Sequence, residues 1–402
     1  MENKNPRILI LGGGFSGVHT ACELQKRINS GFKVDVTLVS RNDSFLFTPM
    51  LHEVVSGALS SDDVAIPIKE ILKNINFVCG EVLSVDLENK TVKTNSNEIF
   101  YDHVVFALGV EPNFFGMKNV QTKSLCMKSI DDAQKIRTHI ETCFDRASQE
   151  SDQKIQKKLL TFIVAGGGFT GVETLGAIYD LTDKTLRKRY GFLSYLVRII
   201  LIHPGDIIIS EMKAESGLYA QNHFEKQNVE IKLKSRVVDF SDQGICLESG
   251  EVVESETLIW TAGNKTGAII EGLNAKKQRG RIVVDDCLRV EGLSASWALG
   301  DCAYISNIKE NGVYPPTAQH ATREAKIVAR NIIATMKNKE NKSFSFDSLG
   351  QLANIGRRKG IANILGIDVK GFIAWILWHI VYLIKLPSFK NKKGVIKKWI
   401  FS

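Results

Sequence analysis

Glycines recur at one spacing in two parts of the chain, and each set follows an apolar run suited to a buried strand. The two stretches read ILILGGGFSG from Ile8 and LLTFIVAGGGFTGVE from Leu159. The glycines that match position for position are Gly12, Gly14 and Gly17 in the first copy and Gly166, Gly168 and Gly171 in the second. A GxGxxG turn between a strand and a helix lets the backbone approach a pyrophosphate, whose charge then faces the helix N-terminus. Glycine-rich turns also occur without ligands, but the strand before and the helix after each turn predict two bound dinucleotides.

The residue that ends the second strand of each copy is not the acid that usually binds a ribose hydroxyl in such a site. The position holds Ser40 in the first copy and His203 in the second. Ser40 can still hydrogen-bond a ribose. A histidine tolerates a 2′-phosphate and attracts one when protonated, so His203 leaves NADPH open beside NADH. We favour a weak NADH site with looser selectivity, because no arginine follows His203 directly.

The chain of 402 residues is long enough for two or three domains, and its composition is that of a globular protein. The net charge of +8 does not come from a block of like charge in the first 340 residues, so nucleic-acid binding is not predicted. Seven cysteines without CxxC or metal-ligand spacing argue against a disulfide framework or a metal site and fit a reducing, cytosolic environment. The short apolar run after Arg7 is interpreted as the first strand and not as a signal peptide.

The order strand–helix–strand, meander, strand occurs twice and indicates an internal duplication of roughly 150 residues. It predicts an α/β fold with two Rossmann-like domains. The predicted boundaries are 1–122 and 263–340 for a discontinuous first domain, 123–262 for the second domain and 341–402 for a C-terminal region. We expect the chain after residue 262 to return to the first domain and to place Gly300–Asp301 beside the first dinucleotide. An aspartate there can bond the ribityl chain of a flavin, although this dipeptide alone is common in turns.

Four local expectations can be compared with a structure. Phe77–Leu87 is predicted as the first strand of a meander, and Arg41–Leu51 as a loop. The polar stretch Ser151–Lys158 is predicted as a linker. The helix after Gly171 is predicted to run to about Tyr190.

A set of motifs spread over nearly the whole chain resembles the type II NADH:quinone oxidoreductases, single-subunit and non-pumping members of the two-dinucleotide-binding flavoproteins. The motifs are GGGFSG, FLFTPMLHEVVSGAL, FALG, AGGGFTGVE, WTAG, ALGDCA and PPTAQHATREAK. The resemblance implies a glutathione-reductase-like fold, with FAD in the first domain and NADH in the second. A hydride passes from NADH to FAD, and two electrons then pass to a membrane quinone of the respiratory chain without proton pumping. The flavin carries the hard chemistry in such enzymes.

Site residues follow from the resemblance, position by position. The positions implied to line FAD are Gly12, Gly14, Gly17, Ser40, Arg41, Thr48, Val82, Gly109, Asp301 and Ala318. Those implied to line NADH are Gly166, Gly168, Gly171, Glu173, His203 and Gly263. Two residues are implied to be catalytic: Glu173 near the nicotinamide and flavin rings, and Gln319 at the quinone end of the isoalloxazine. Arg323 occupies a position where the family often has a second glutamine.

Structural interpretations stay open for three residues, Glu173, Gln319 and Cys302. Glu173 also suits a glutamate that stabilises the first turn of its helix, and Gln319 suits a neighbour of a helix cap. Cys302 is interpreted as a small buried residue behind the flavin. The remaining cysteines do not form the close-spaced pair that disulfide reductases require.

The C-terminal sequence suits a membrane surface. The apolar run GFIAWILWHIVYLIKL from Gly371 is shorter than the roughly 20 residues that span a bilayer. Its amphipathic residues, which favour the interface, are Trp375, Trp378, His379 and Tyr382. No acid occurs from 369 to 402, and the lysines there are Lys370, Lys385, Lys390, Lys392, Lys393, Lys397 and Lys398. Residues 369–402 are therefore predicted to lie on a phospholipid surface, although a buried core helix or a dimer contact is also compatible with the run.

The leading hypothesis is a flavin-dependent NADH:quinone oxidoreductase that is peripheral on the cytoplasmic side of the cell membrane and forms a homodimer. An NADPH-preferring quinone reductase is the first alternative. A soluble disulfide or ferredoxin reductase of the same superfamily is the second. A protein that senses flavin and nucleotide without turnover is the non-enzyme alternative.

Overall fold

The structure is a computed structural model that describes residues 5–401, so Met1–Lys4 and Ser402 of the predicted terminal regions lie outside it. The chain folds into two compact units. The first comprises residues 5–46, 65–111 and 265–348, and the second comprises 47–64, 112–264 and 349–401. The predicted domain boundaries remain a prediction.

The strands are β1 Arg7–Leu11, β2 Asp35–Ser40, β3 Ser44–Leu46, β4 Ala65–Pro67, β5 Asn76–Cys79, β6 Val82–Asp86, β7 Thr91–Thr94, β8 Glu98–Phe100, β9 His103–Phe106, β10 Glu111–Pro112, β11 Leu125–Cys126, β12 Thr161–Ala165, β13 Arg198–Ile202, β14 Glu230–Lys232, β15 Val237–Phe240, β16 Ile245–Leu247, β17 Val252–Val253, β18 Thr257–Trp260, β19 Asn264–Lys265, β20 Lys277–Gln278, β21 Arg281–Val283, β22 Ser296–Ala298, β23 Ala303–Tyr304, β24 Ser306–Asn307, β25 Gly312–Val313, β26 Gly350–Asn354, β27 Gly360–Ile364 and β28 Ile367–Gly371.

The α-helices are α1 Phe15–Asn29, α2 His52–Ser56, α3 Ser61–Val64, α4 Ile68–Ile71, α5 Lys118–Lys123, α6 Ile130–Gln149, α7 Gln153–Leu159, α8 Phe169–Asp180, α9 Arg187–Tyr190, α10 Ala214–Glu225, α11 Ala268–Gly272, α12 Ala318–Met336, α13 Phe372–Lys385 and α14 Phe389–Phe401. Short 3₁₀-helical segments occur at Thr48–Met50, Gly191–Leu196, Gly300–Cys302 and Ile308–Glu310.

The first unit is built on a parallel sheet of order β22-β9-β1-β2-β5. β1 lies at its centre because its residues from Ile8 to Leu11 are apolar and buried on both faces, as parallel strands require. Leu11 is in register with Val39 of β2 and Phe106 of β9, so the glycine turn leaves the sheet between these two strands. β22 comes from far downstream and completes this sheet.

The second unit repeats the plan with a parallel sheet of order β11-β18-β12-β13-β14. β12 is fully buried and central, and Ala165 at its end is in register with Ile202 and Trp260. The second glycine turn follows Ala165 and leads into α8. The two units therefore place their glycine turns at equivalent points, at the carboxyl end of a central strand, where open α/β sheets bind ligands.

Three local predictions differ from the structure. The single strand predicted over Phe77–Leu87 is wrong, because β5 pairs with β2 in the parallel sheet while β6 starts an antiparallel sheet with β7 and β8. The predicted loop Arg41–Leu51 contains β3 and a 3₁₀ turn. The predicted linker Ser151–Lys158 is mostly α7, whose first turn is capped by the Asp152 carboxylate, which accepts a hydrogen bond from the Lys154 amide at 2.7 Å.

The predicted long helix after Gly171 is confirmed in its extent but not in its regularity. α8 continues into a π-helical segment, Leu181–Leu186, and then into α9, which ends at Tyr190. π-helical turns are rare and are frequent at functional sites.

The C-terminal part of the second unit is an antiparallel sheet of order β26-β27-β28 followed by α13 and α14. α13 packs against β27, and α14 packs against the short helix α3. Of the helices that the structure describes, none combines the length and the apolar character that crossing a bilayer requires.

Candidate functional site

The first glycine turn has the shape that a diphosphate requires. Gly12 has a φ of +113°, and a Cβ atom there would overlap the carbonyl oxygen of Ala107. A Cβ atom at Gly17 would overlap the carbonyl oxygen of Gly12, so α1 can pack closely on β1 only with glycine at this position. A Cβ atom at Gly14 would meet no atom within 4 Å, which leaves open space at the start of α1. The first turn of α1 contains no acid and no side-chain cap, so its N-terminus suits an anion.

The predicted flavin residues Ser40 and Asp301 lie beside this turn. The Ser40 hydroxyl is against Gly13, where a Cβ atom would overlap it. Gly300, the neighbour of Asp301, lies against the Ser16 hydroxyl in the first turn of α1. The fit of these groups around the open space at Gly14 is compatible with FAD.

A residue missed in the sequence, Glu324 of α12, holds the Gly300–Asp301 turn in place. Its Oε2 accepts a hydrogen bond from the Gly300 amide at 2.7 Å. The carboxyl group is almost fully buried, and burial raises its pKa to about 7. A glutamate inside an amphipathic helix has no local signature, so only the contact identifies it.

The other positions predicted for FAD are divided between the units. Three of them, Val82, Arg41 and Gly109, belong to the first unit. Val82 is buried at the start of β6, Arg41 is exposed, and Gly109 follows β9. Thr48 lies in the second unit, at the first position of a 3₁₀ turn.

The predicted quinone-end residues lie at the N-terminus of α12. Thr317 caps this helix, and Ala318 and Gln319 are its first two residues. The Gln319 amide donates to the Ser348 hydroxyl at 2.8 Å. Arg323, one turn later, donates to the Gln319 carbonyl at 2.9 Å, and its guanidinium lies 4.0 Å from the centre of the Phe346 ring. Burial lowers the pKa of Arg323.

The second glycine turn reproduces the first. Gly166 has a φ of +114°, and a Cβ atom at Gly171 would overlap the Gly166 carbonyl oxygen. Gly168 precedes α8, whose first turn has neither an acid nor a side-chain cap. Gly263 follows β18 and is packed against the Phe115 ring. The second unit thus offers the same cradle for a dinucleotide.

His203 is bound to the turn and is not a free cation. The Gly167 amide donates to its Nδ1 at 3.1 Å, so Nδ1 carries no proton. Burial lowers the pKa of the imidazole, although the charge of Glu211 opposes this shift. His203 is therefore neutral near pH 7.

An acidic residue, Glu211, lies beside the second turn, although the dinucleotide-binding pattern does not predict an acid at its position. A Cβ atom on Gly168 would lie 3.4 Å from Oε1 of Glu211, and Glu211 is exposed. Its carboxylate comes from the loop after β13, eight residues beyond His203. The acid beside this turn therefore comes from the loop after β13 and not from the end of that strand.

Glu173, predicted as catalytic, is largely buried in the second unit. Its Oε1 accepts hydrogen bonds from the Asn354 amide and from the Trp378 indole, both at 3.2 Å. Its Oε2 lies 3.8 Å from Nδ1 of His52. Burial raises the pKa of Glu173 to about 8, so this carboxyl can hold a proton near neutral pH. A protonated carboxyl carries no charge, and Glu173 lies after the first turn of α8, so this residue does not stabilise the helix N-terminus by its charge.

The position of Trp378 and His379 corrects their interpretation as residues of a membrane interface. Trp378 is 0% exposed and His379 is 8% exposed, and both face the interior of the second unit. The exposed large side chains on the opposite face of α13 are Phe372, Ile373, Ile376, Ile380 and Ile384. The helix is amphipathic, but Trp378 and His379 were assigned to the wrong side, because the sequence alone does not show which side of the helix has a partner.

All seven cysteines are free thiols. Cys302 is fully buried, and burial raises the pKa of its thiol to about 11. A protonated, inaccessible thiol suits the interpretation of Cys302 as a packing residue.

Comparisons with known proteins agree with this geometry. The family model described as "Pyridine nucleotide-disulphide oxidoreductase" matches residues 6–325, and the model described as "NDH2 C-terminal domain" matches residues 349–402. The curated type II NADH:quinone oxidoreductase Ndh of Mycobacterium tuberculosis is 30% identical over 98% of this chain and 87% of its own length. The type II NADH:quinone oxidoreductase of Staphylococcus saprophyticus is 29% identical over 92% of each chain.

Two solved structures share the fold. NDH2 from Plasmodium falciparum in complex with NADH has a TM-score of 0.92 and 23% identity, with 98% of each chain covered. The sulfide:quinone oxidoreductase from Aquifex aeolicus has a TM-score of 0.77 and 18% identity, with 97% of this chain and 92% of that chain covered.

These findings confirm the predicted family, fold class, enzyme activity and cofactor pair of FAD and NADH. The chain belongs to the pyridine nucleotide-disulphide oxidoreductase family and, within it, to the type II NADH:quinone oxidoreductases.

Proposed function

We propose that this protein is an NADH:quinone oxidoreductase that holds FAD in its first unit and takes NADH in its second. The observation that carries the proposal is the repeated cradle, a glycine turn at the carboxyl end of a central parallel strand in each unit. FAD, when bound, supplies the hydride-accepting chemistry and the transfer of two electrons.

The residues that would hold FAD are those around the first turn. Gly12, Gly14 and Gly17 receive the diphosphate at the N-terminus of α1, and Ser40 binds a ribose hydroxyl. Asp301, kept in position by the bond between Gly300 and Glu324, binds the ribityl chain.

NADH is the preferred nucleotide in this proposal. A neutral His203 offers no attraction for a 2′-phosphate, and the Glu211 carboxylate beside Gly168 repels one. The same carboxylate is placed to accept a hydrogen bond from a ribose hydroxyl, in place of the acid that usually ends the second strand.

Two residues act at the reacting end. Glu173 lies beside the nicotinamide ring and holds a proton near neutral pH. Gln319 presents its amide to the quinone from the N-terminus of α12, where Arg323 fixes the first turn by bonding the Gln319 carbonyl.

The membrane contact is formed by α13 and α14. The apolar face of α13 and the lysines of α14 suit an anionic lipid surface, so the protein is peripheral, on the cytoplasmic side of the cell membrane. A quinone can then reach the protein from the lipid. Assembly as a homodimer completes the proposal.

The test is an anaerobic titration of the flavin-loaded protein with NADH and NADPH in parallel. NADH should bleach the flavin at lower concentration than NADPH, and the His203→Glu variant should widen the difference by adding a second carboxylate. A purified protein without flavin, or a flavin that neither nucleotide bleaches, contradicts the proposal.

Quinone reduction in the presence of lipid separates the remaining alternatives. Steady turnover with a quinone supports the proposal. Bleaching without quinone turnover supports a sensor, and turnover only with a soluble disulfide or ferredoxin supports the soluble reductases.

A further inference from the structure

A second buried carboxyl group, Glu53 of α2, belongs to the same hydrogen-bonded cluster as Glu173. Asn354 of β26 bridges the two. Its side-chain Nδ2 donates to Oε1 of Glu53 at 3.2 Å, and its backbone amide donates to Oε1 of Glu173 at 3.2 Å. Each carboxylate also accepts from an indole of the C-terminal helices, Glu173 from Trp378 at 3.2 Å and Glu53 from Trp399 at 2.7 Å. All five residues belong to the second unit.

The pair of Glu53 and Glu173 lacks a lysine or arginine partner in the part of the chain that the structure describes. Among the residues from 5 to 401, neither carboxyl group forms an ion pair with a lysine or an arginine. The nearest basic groups are imidazoles: His52 lies 3.8 Å from Glu173, and His379 lies 3.7 Å from Glu53. Burial lowers the pKa of His52 to about 3 and that of His379 to about 4, so both are neutral.

The other titratable groups that face the pair do not neutralise it. The negative charge of Asp180 in α8 raises the pKa of Glu53, whereas the positive charge of Lys184 in the π-helical segment lowers it. Tyr382 of α13 faces Glu173, and burial raises its pKa, so the phenol is neutral. Two adjacent buried carboxylates without a counter-ion are unfavourable, because desolvation and mutual repulsion both disfavour the second charge.

We propose that Glu53 and Glu173, which both accept a hydrogen bond from Asn354, are not ionised together near neutral pH, and that quinone reduction uses the proton that this pair retains. The inference rests on the proposed function, which puts Glu173 at the reacting rings. Reduction of a quinone to a quinol takes two electrons and two protons. The hydride of NADH supplies both electrons and one proton, and the second proton must come from water.

The proton step balances within this cluster. The O–H bond of the Glu173 carboxyl breaks, a new O–H bond forms on a quinone oxygen, and the pair is left with two negative charges. It then regains a proton from water. A cavity lined by Glu53 and Glu173 gives the route, because the exposed residues Lys184 and Arg358 also line it and so connect it to solvent.

Glu53 is a positioning residue in this scheme, since it acts by setting the proton affinity of Glu173. Burial is the main cause of the raised pKa of Glu173, and the charge of Glu53 adds to it by repulsion. The Trp399 indole favours the charged form of Glu53 and lowers its pKa. α14, which carries Trp399, is fixed beside the pair by the ion pair between Lys398 and Asp63. The C-terminal helix therefore takes part in proton storage as well as in membrane contact.

Infrared titration of the FAD-loaded, detergent-solubilised protein tests this inference without turnover. The carboxyl C=O stretch is followed from pH 5 to 9 in the wild type, in Glu53→Gln and in Trp399→Phe. The signal of buried Glu324, whose pKa is also about 7, is subtracted by comparison with the matching Glu324→Gln variants. The wild type should show a buried protonated carboxyl that titrates near neutral pH. Glu53→Gln should move the remaining titration to lower pH by about one unit, since the neighbouring charge is gone. Trp399→Phe should move it to higher pH.

Two matched variants provide the controls. Glu248→Gln makes the same chemical change at an exposed position of the second unit, where the side chain is 71% exposed. Trp375→Phe removes an indole that lines the same cavity but does not hydrogen-bond either carboxyl among the described residues. Neither variant should move the titration.

Opposite shifts in Glu53→Gln and Trp399→Phe support shared proton storage. Shifts in the same direction, or a carboxyl titration equal to the wild type in Glu53→Gln, overturn it. The kinetic readout is the pH profile of the quinone-dependent half-reaction, whose alkaline limit should fall by the same amount in Glu53→Gln, while Glu248→Gln, with its exposed carboxyl, should keep the profile of the wild type. Failure of the wild type to reduce quinone would instead contradict the proposed function, and the infrared result would distinguish the two failures.

Discussion

At the scale of single residues, the second glycine turn has a negative charge beside it that comes from a residue outside the GxGxxG motif. The position that ends β13 holds His203, which accepts a hydrogen bond from the Gly167 amide and stays neutral. The negative charge comes instead from Glu211, whose Oε1 lies 3.4 Å from the position of a Cβ atom on Gly168. In the proposed function, discrimination against a 2′-phosphate therefore depends on Glu211.

Removing this charge should relax the choice of nucleotide. We expect Glu211→Gln to raise kcat/KM for NADPH about fivefold relative to that for NADH, the effect of one exposed charge at short range. The measurement is steady-state kinetics with both nucleotides at low ionic strength, with Glu225→Gln on the surface of the same unit as control. An unchanged ratio in Glu211→Gln would assign the selectivity to another residue.

Glu324 is the residue on which the predicted ribityl contact depends. Glu324→Leu leaves the Gly300 amide without its acceptor in a buried place, which costs about 1–3 kcal/mol. We expect this variant to be purified with less FAD and to unfold at lower temperature. Glu324→Gln keeps an acceptor oxygen and should retain the flavin. Equal flavin content in the two variants would show that the turn does not need this hydrogen bond.

At the scale of elements, α13 separates two functions on its two faces. The face with Trp378 and His379 contributes to the carboxyl cluster, and the face with Ile376 and Ile380 is exposed. A charge on the exposed face should therefore affect membrane contact and leave the cluster intact.

We expect the double variant Ile376→Glu, Ile380→Glu to bind anionic vesicles at least about tenfold more weakly, because two apolar side chains leave the lipid and two negative charges face it. Flavin content and NADH bleaching in detergent should match the wild type. Val238→Glu, which charges an exposed apolar position on β15, is the control. Vesicle binding equal to the wild type would move the membrane contact away from α13.

The elements also show what the sequence could and could not predict. Both strand–turn–helix units were predictable because GxGxxG is a local requirement of backbone geometry, fulfilled within a few residues. α7 was missed since polar helices and polar linkers have similar composition, and only its cap at Asp152 and its contacts distinguish them. Trp378 was assigned to the wrong face because an apolar helix does not encode its partner.

The same reasoning explains which site residues were missed. Glu53 meets Asn354 and Trp399, which lie 301 and 346 residues away in the sequence. Glu211 and Glu324 are likewise brought to their turns by tertiary structure. Motifs predict the phosphate-binding turns, whereas the charges that tune them depend on long-range contacts.

At the scale of the whole molecule, buried titratable groups set the dependence of stability on pH. Burial raises the pKa of Glu53, Glu173 and Glu324 to about 7, 8 and 7, above the value of 4.5 in an unfolded chain. At pH values between 4.5 and about 8, the folded protein thus binds more protons than the unfolded chain. Its free energy of unfolding falls as pH rises through this range.

Buried histidines act in the opposite sense but at lower pH. Burial lowers the pKa of His52, His320 and His379 to about 3, 4 and 4, below the ordinary value of 6.5. The unfolded chain takes up protons at these sites as pH drops below 6.5, so their contribution to stability is lost there and constant above it. Among these six groups, the three carboxyls account for most of the change between pH 6.5 and about 8.

We therefore expect the flavin-loaded protein to unfold at a lower temperature at pH 8 than at pH 6.5, by on the order of 5 °C, since each pKa unit corresponds to about 1.4 kcal/mol. The double variant Glu53→Gln, Glu324→Gln has two of the three groups neutral at every pH and should show less than half of this drop. Glu248→Gln, with its exposed carboxyl, should show all of it. Thermal unfolding followed by circular dichroism at the two pH values is the measurement. A drop in the double variant equal to that of the wild type would mean that the buried carboxyls do not govern the pH dependence, and groups elsewhere in the molecule would have to account for it.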